Sequence, residues 1–368
     1  MKASLPALFF GTATLFSTSY GHALNIDDVS VDVYGRLHGA ISYMDSDINS
    51  NAEDNSNALS NGDVSISSNS SRLGFKGTLP TGIDDLVGIF QLEQTVNLDG
   101  HNGDTFTTRD SFMGVRGLDD NKKALWDVKL GYHYTLGKLA GDLFMLRDTA
   151  ADRRAITGAG ANSGNKADKR VANMLLGTWY TQALNGKLKL SLQYSAQAQR
   201  SKGTVDDNEQ GLTAAGFSWS GKNLDVRAAH DYWKNGTDDN MHLSRINTRY
   251  KTGPWAVILL AENLRKSDDL NRKAWGGQIA YKINKTKLIG SVLVADDYKG
   301  SKDTGAVMTT IGAERKFSKS MKGYALYTQT QNDDNASYQG VDAGITDELK
   351  TTAGQTPKAF SMGVVLSF

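Results

Sequence analysis

The sequence predicts an all-β fold: a transmembrane up-and-down antiparallel β-barrel of about 16 strands. Three observations predict it. Apolar and polar residues alternate with period two over segments longer than soluble strands usually reach. Short and long polar connections take turns between those segments. No window of about 18 apolar residues follows Ala23, which excludes helical membrane spans.

The N-terminus reads as a targeting signal. Lys2 is the only charge before Leu24, an apolar stretch covers residues 7–16, and Gly21-His22-Ala23 fits a small-x-small cleavage site. The apolar stretch is too short to span a bilayer, and Pro6 opposes a stable helix there. The expected organisation is a cleaved signal peptide, residues 1–23, and one barrel domain, residues 24–368.

Composition narrows the class. The chain has 41 basic and 40 acidic residues, so loss of Lys2 leaves the two balanced. That balance speaks against nucleic acid as a partner, which calls for a basic excess. With no cysteine, the exported chain cannot be stapled by disulfides. Only 39% of residues are hydrophobic, which suits a barrel whose strands meet lipid with every second residue.

The strands follow in order. From Val29 to Tyr43, Val29, Val31, Val33, Leu37, Ile41 and Tyr43 share one face, against Ser30, Asp32, Arg36, His38 and Ser42. Leu188, Leu190, Leu192 and Tyr194 alternate with Lys187, Lys189, Ser191 and Gln193, and the end of the chain repeats the pattern from Phe360 to Phe368. The predicted strands are 29–44, 63–79, 86–98, 106–118, 124–134, 169–182, 187–199 and 209–220, then 222–234, 241–252, 254–265, 272–283, 286–297, 304–317, 321–331 and 358–368. Short turns at 80–85, 119–123, 183–186, 220–223, 284–285 and 317–320 alternate along most of the chain with long connections at 45–62, 134–168, 200–208, 267–271 and 332–357. Pro80, Pro254 and Pro357 fall in turns or at strand starts, where no ladder bond is lost.

Closure follows from the solvent. Backbone amides in lipid have no water to bond, so a sheet crosses only when it leaves no edge. A barrel of about 16–18 strands leaves an aqueous channel, whereas one of about 8 is filled by its own side chains. Inward-facing Ser, Thr, Gln, Asp, Lys and Arg suit a hydrated passage.

Specific strings then become recognisable. Tyr34-Gly35-Arg36-Leu37 resembles the first strand of the Gram-negative general diffusion porins, and residues 71–78 (SRLGFKGT) resemble their second. Residues 89–93 (IFQLE) and 112–117 (FMGVRG) are similar to the third and fourth. The resemblance implies a homotrimer of 16-stranded barrels in a Gram-negative outer membrane, each with a long third loop folded into the lumen. It implies passive diffusion of ions and small hydrophilic solutes, with no cofactor. It also implies lipopolysaccharide and outer-membrane lipid as surroundings, and periplasmic chaperones and the barrel-assembly machinery as partners, with Phe368 as the assembly signal. Carried over by position, Arg36, Arg72, Arg109 and Arg170 form the basic wall of a constriction. The constriction loop is then residues 134–168, with Asp142, Asp148 and Asp152 as its acids. The family's Pro-Glu-Phe-Gly-Gly-type string is missing from that loop, and Arg147, Arg153 and Arg154 sit among the acids. A locally basic loop favours anions.

Other residues carry less. Trp126, Tyr132, Tyr180, Trp219, Trp255 and Tyr281 lie near strand ends and read as an interfacial girdle. His38, His101, His133, His230 and His242 have no metal-ligand spacing, and no catalytic constellation is legible. The acidic pairs at 206–207, 238–239, 268–269, 296–297 and 333–334 read as solvated loop tips. Three alternatives to a general pore stand beside it: a porin selective for a sugar, phosphate or carboxylate, an outer-membrane barrel enzyme, and a soluble β-rich adhesin or binding protein.

Overall fold

A computed structural model of the chain describes residues 23–26, 29–46, 62–100, 106–158, 166–196, 210–235, 237–266, 271–339, 349 and 351–368. The signal segment through His22, His101 and the acidic pairs at 206–207 and 268–269 lie outside them.

The described residues build one closed antiparallel sheet. Its barrel strands are β1 (Val29–Asp45), β2 (Asp63–Ser68 continued by Arg72–Pro80), β3 (Leu86–Thr95), β4 (Ser111–Leu118), β5 (Ala124–Tyr134), β6 (Arg170–Ala183), β7 (Gly186–Ser195) and β8 (Gln210–Ser220). They continue as β9 (Leu224–Asn235), β10 (Thr237–Thr252), β11 (Trp255–Lys266), β12 (Arg272–Ile283), β13 (Thr286–Ala295), β14 (Ala306–Lys316), β15 (Met321–Asn332) and β16 (Lys358–Ser367). Each pairs with its chain neighbour. β16 closes the cylinder on β1, from Lys358 opposite Asp45 to Ser367 opposite Arg36. A short extra strand, Ala23–Ile26, pairs with Val29–Asp32 at the foot of β1.

The period-two pattern becomes two surfaces. On β1, Ile41 and Tyr43 stay exposed while His38 and Ser42 are fully buried. On β7, Leu190, Leu192 and Tyr194 face out and Gln193 and Ser195 face in. The outward apolar residues form the surface that lipid covers, where burial of each aliphatic side chain contributes about 1.5–3 kcal/mol.

Local chemistry explains the turns. Leu184 and Asn185 both take positive φ, as the two-residue turn between β6 and β7 requires. β2, predicted as one run, is broken at Asn69–Ser71. Ser70 sits there at φ 56°, and its hydroxyl donates to Asp148. Pro80 ends a strand opposite Val87 rather than lying in a turn. Trp126, Trp219, Trp255 and Tyr281 sit near the short-turn end, with the Trp255 and Tyr281 rings 4.4 Å apart. Tyr132 lies at the other end of β5, opposite Ser111. Tyr180 departs from the predicted girdle: its hydroxyl donates to Asp127 at 2.7 Å, on the inner face.

The inner wall is also less uniformly polar than predicted. Ile258, Leu260, Leu293, Met308 and Leu326 point inward and are buried. They pack against Leu143, Phe144 and Ile156 of the segment between β5 and β6. A second apolar cluster joins Leu136 and Ala140 of that segment to Met174, Leu212 and Leu243. The barrel's core is therefore the contact between this segment and one side of the wall. The opposite side, around β1–β5, keeps the polar lining.

Candidate functional site

The segment that follows Tyr134 begins with a five-residue helix, α1 (Leu136–Ala140), capped by Thr135, whose side chain accepts from the Lys138 N–H. It then crosses the interior, bonding to wall residues as it goes. The Gly137 N–H donates to both Asp231 carboxylate oxygens, at 2.9 and 3.1 Å. Further along, the Leu143 N–H donates to Asn247, the Met145 N–H to Gln278 and the Gly158 N–H to Glu262. Arg272 donates to the Ile156 carbonyl and to the Tyr338 hydroxyl.

A buried charge cluster ties both ends of the segment to the wall. Arg153 pairs with Asp168 at 3.1 Å, and Arg245 with Asp168 at 2.7 Å and with Glu262. Arg153 also donates to the Gly141 carbonyl. Gly141 leaves room for that guanidinium, since a Cβ there would lie 2.3 Å from it and displace it.

Between the segment and the wall lies a polar cavity of about 490 Å³. All seven residues predicted for a constriction line it. Arg36 reaches across to Asp148 of the segment at 2.6 Å. Arg72, Arg109 and Arg170 converge on one carboxylate, Glu93, at 3.3, 2.8 and 3.9 Å. Arg170 also pairs with Asp110 at 2.7 Å and stacks 3.8 Å from the centre of the Tyr134 ring, which Lys138 approaches at 4.1 Å.

The three predicted loop acids do different things. Asp148 alone pairs with the wall. Asp142 is held by Lys138, Arg147 and Arg153, at 2.7, 3.0 and 3.5 Å, all from its own segment. Asp152 caps the turn at Arg153–Ala155, accepting from the Arg154 N–H, and pairs with the Arg154 side chain. The expectation that all three confront the basic wall is corrected in this respect: the segment's own arginines take two of them. Burial by itself would raise the carboxyls of Asp142, Asp148 and Asp168. The cations around each, led by Lys138, Arg36 and Arg153 respectively, outweigh it and hold all three below the ordinary carboxylate range.

Sequence reasoning missed Glu93 and Asp110. Glu93 stood in a recognised string, but its role as the shared partner of three arginines depends on strands brought side by side. It also missed Arg249, Lys287, Glu314 and Lys322, which come from β10 and β13–β15. With these included, the cavity is lined by eleven basic residues: Arg36, Arg72, Arg109, Arg170, Arg249, Lys287 and Lys322 of the wall, and Lys138, Arg147, Arg153 and Arg154 of the segment. Against them stand six acids: Glu93, Asp110, Asp142, Asp148, Asp152 and Glu314.

Comparison with known proteins bears on this geometry. A family described as Gram-negative porin matches residues 11–335. An anion-selective porin from Comamonas acidovorans superposes with a TM-score of 0.68 at 19% identity, over 93% of this chain and 100% of that one. The outer-membrane OmpT of Vibrio cholerae superposes with a TM-score of 0.66 at 18% identity, over 94% of this chain and 100% of that one. OmpF of Salmonella typhi, in complex with daunomycin, gives 0.62 at 13%, over 94% and 100%. At such identities the likeness concerns the fold. No curated protein matches the chain.

Proposed function

This chain belongs to the Gram-negative porins, and from that premise we propose that its constriction passes small anions in preference to cations. It is a diffusion channel of the Gram-negative outer membrane, a channel rather than an enzyme. The finer reading is carried by one observation, the eleven basic against six acidic residues around the constriction cavity. Rings of charge at a narrow point set which ions enter, and a lumen bounded by apolar strands focuses the field of an uncompensated charge. Arg36, Arg72, Arg109 and Arg170 form the basic wall, and the segment after Tyr134 narrows the passage opposite them. The missing family string and the added arginines of the segment support the same sign.

The reading also includes a homotrimer set in outer-membrane lipid and lipopolysaccharide. Chaperones and the barrel-assembly machinery deliver it, with Phe368 as the assembly signal. At the seam Phe368 exchanges backbone hydrogen bonds with Gly35, at 3.0 and 3.1 Å. Residues 1–23 are removed on export, and N-terminal sequencing of the mature protein is expected to start at Leu24.

Reversal potentials in planar bilayers under a salt gradient test the charge preference. Wild type is expected on the anion side, and Arg72→Ala is expected to move toward cations. A cation-selective wild type overturns the reading, and an unmoved variant takes Arg72 out of the filter.

A further inference from the structure

At the short-turn end a second cavity, of about 560 Å³, lies inside β12–β15 and opens toward the constriction through Lys287, Glu314 and Lys322. Six lysines line it, Lys282, Lys285, Lys287, Lys316, Lys319 and Lys322, and Glu314 is its only acid. Strand register puts four of these lysines on the inward face. Lys287 lies opposite Glu314 and Lys282 opposite Lys287, while Lys316 lies opposite Lys322, which in turn faces the buried Val365. Lys285 and Lys319 come from the two turns that frame the mouth.

Two of those pairs, Lys282 with Lys287 and Lys316 with Lys322, oppose like charges directly, an arrangement that destabilises a sheet. Glu314 relieves part of it, at 3.3 Å from Lys287 and 2.5 Å from Lys322. The other four lysines have no carboxylate at ion-pair distance among the described residues. Two other inner-face acids near short turns, Asp225 and Asp127, each pair with an arginine and a lysine, Arg249 with Lys251 and Arg116 with Lys129.

We propose that this pocket binds a soluble oligophosphate, an anion with two or more linked phosphate groups, entering from the periplasmic side. The surplus of five ammonium groups calls for a ligand of several charges, since a monovalent anion leaves most of the repulsion in place. Ammonium groups bind phosphate as rotatable point charges, so several lysines can converge on linked phosphate groups without the fixed fork of a guanidinium. Ser318, Ser320 and Asn284 add neutral hydrogen-bonding groups at the rim. The four strand lysines share the inward face, so a bilayer lipid headgroup does not reach them.

Titration of folded, detergent-solubilised protein with inorganic tripolyphosphate tests the site. Lys285→Gln/Lys319→Gln changes only turn side chains and leaves the ladders intact. It is expected to weaken binding by about tenfold or more, the scale of one lost charge-assisted contact. Monophosphate is expected to bind far more weakly than tripolyphosphate. In bilayers, tripolyphosphate added on the short-turn side is expected to block current at lower concentration than on the long-loop side. Equal binding of mono- and tripolyphosphate, or wild-type binding by the double variant, overturns the proposal. Cation selectivity in the reversal-potential experiment sinks the constriction reading alone, because the titration measures this pocket without any current.

Discussion

Glu93 shows how far a single side chain reaches in this lumen. Three guanidiniums and the Tyr34 hydroxyl meet its two oxygens. Glu93→Gln keeps the shape and removes the charge, so anion preference is expected to rise, opposite in sign to the effect of Arg72→Ala; reversal potentials of the two variants check this. The segment's carboxylates make a pH prediction. Asp142, Asp148 and Asp168 are held below the unfolded carboxylate value of about 3.9. For a depressed group, stabilisation is complete above the unfolded value and is lost as pH falls through the folded one. The carboxyl NMR shifts of these three residues are therefore expected to stay level from neutral pH down to about 4 and to move only below it. Titration of any of the three between pH 5 and 7 would contradict the assignment. At this scale, the inward parity of Arg36 was legible from alternation, and Arg72 from the resemblance of its string. Their partners were not, because Arg36 meets Asp148 across 112 positions of chain.

The element on which the site depends is the segment between β5 and β6. Its presence was legible as a long polar interruption between two alternating runs. Its fixing was not. Arg245, Asp231 and Glu262 read locally as ordinary inward polar residues, yet they hold Gly137, Asp168 and Gly158. Arg245 and its two carboxylate partners are fully buried. Removing one member of such a cluster strands the others and costs about 3–5 kcal/mol. Arg245→Ala is expected to loosen the segment while the cylinder persists. Single-channel recordings should show larger or noisier conductance, and proteolysis should cut the segment in an otherwise folded barrel. An unchanged trace with a resistant segment would mean that the apolar contacts of Leu143, Phe144 and Ile156 suffice by themselves.

For the whole molecule, the cylinder separates two solvents. Outward residues such as Leu259, 57% exposed at mid-strand, meet lipid. A lysine there is expected to destabilise the barrel by about 2–4 kcal/mol, whereas a charge on the lumen face is tolerated. Denaturant unfolding of Leu259→Lys in lipid vesicles measures it, and a neutral result would deny that this face is in the bilayer. The strand count, the closure and the membrane setting were legible because alternation is a local, repeated property that lipid imposes on every strand. The apolar half of the inner wall was not anticipated. The apolar run at 256–261 does interrupt the alternation at Ile258 and Leu260, but what covers them depends on where the segment lies.

The chain by itself determined that about 16 strands cross, which face of the cleanly alternating ones looks inward, and where the long interruption falls, since period-two patterning and turn chemistry act over a few neighbouring positions. Tertiary structure alone decided which arginine shares Glu93, which acids the segment keeps for itself, and that lysines from four strands and two turns crowd one mouth. Those outcomes depend on register and closure, which bring together residues a hundred positions apart, and electrostatic energy follows distance in space rather than distance along the chain.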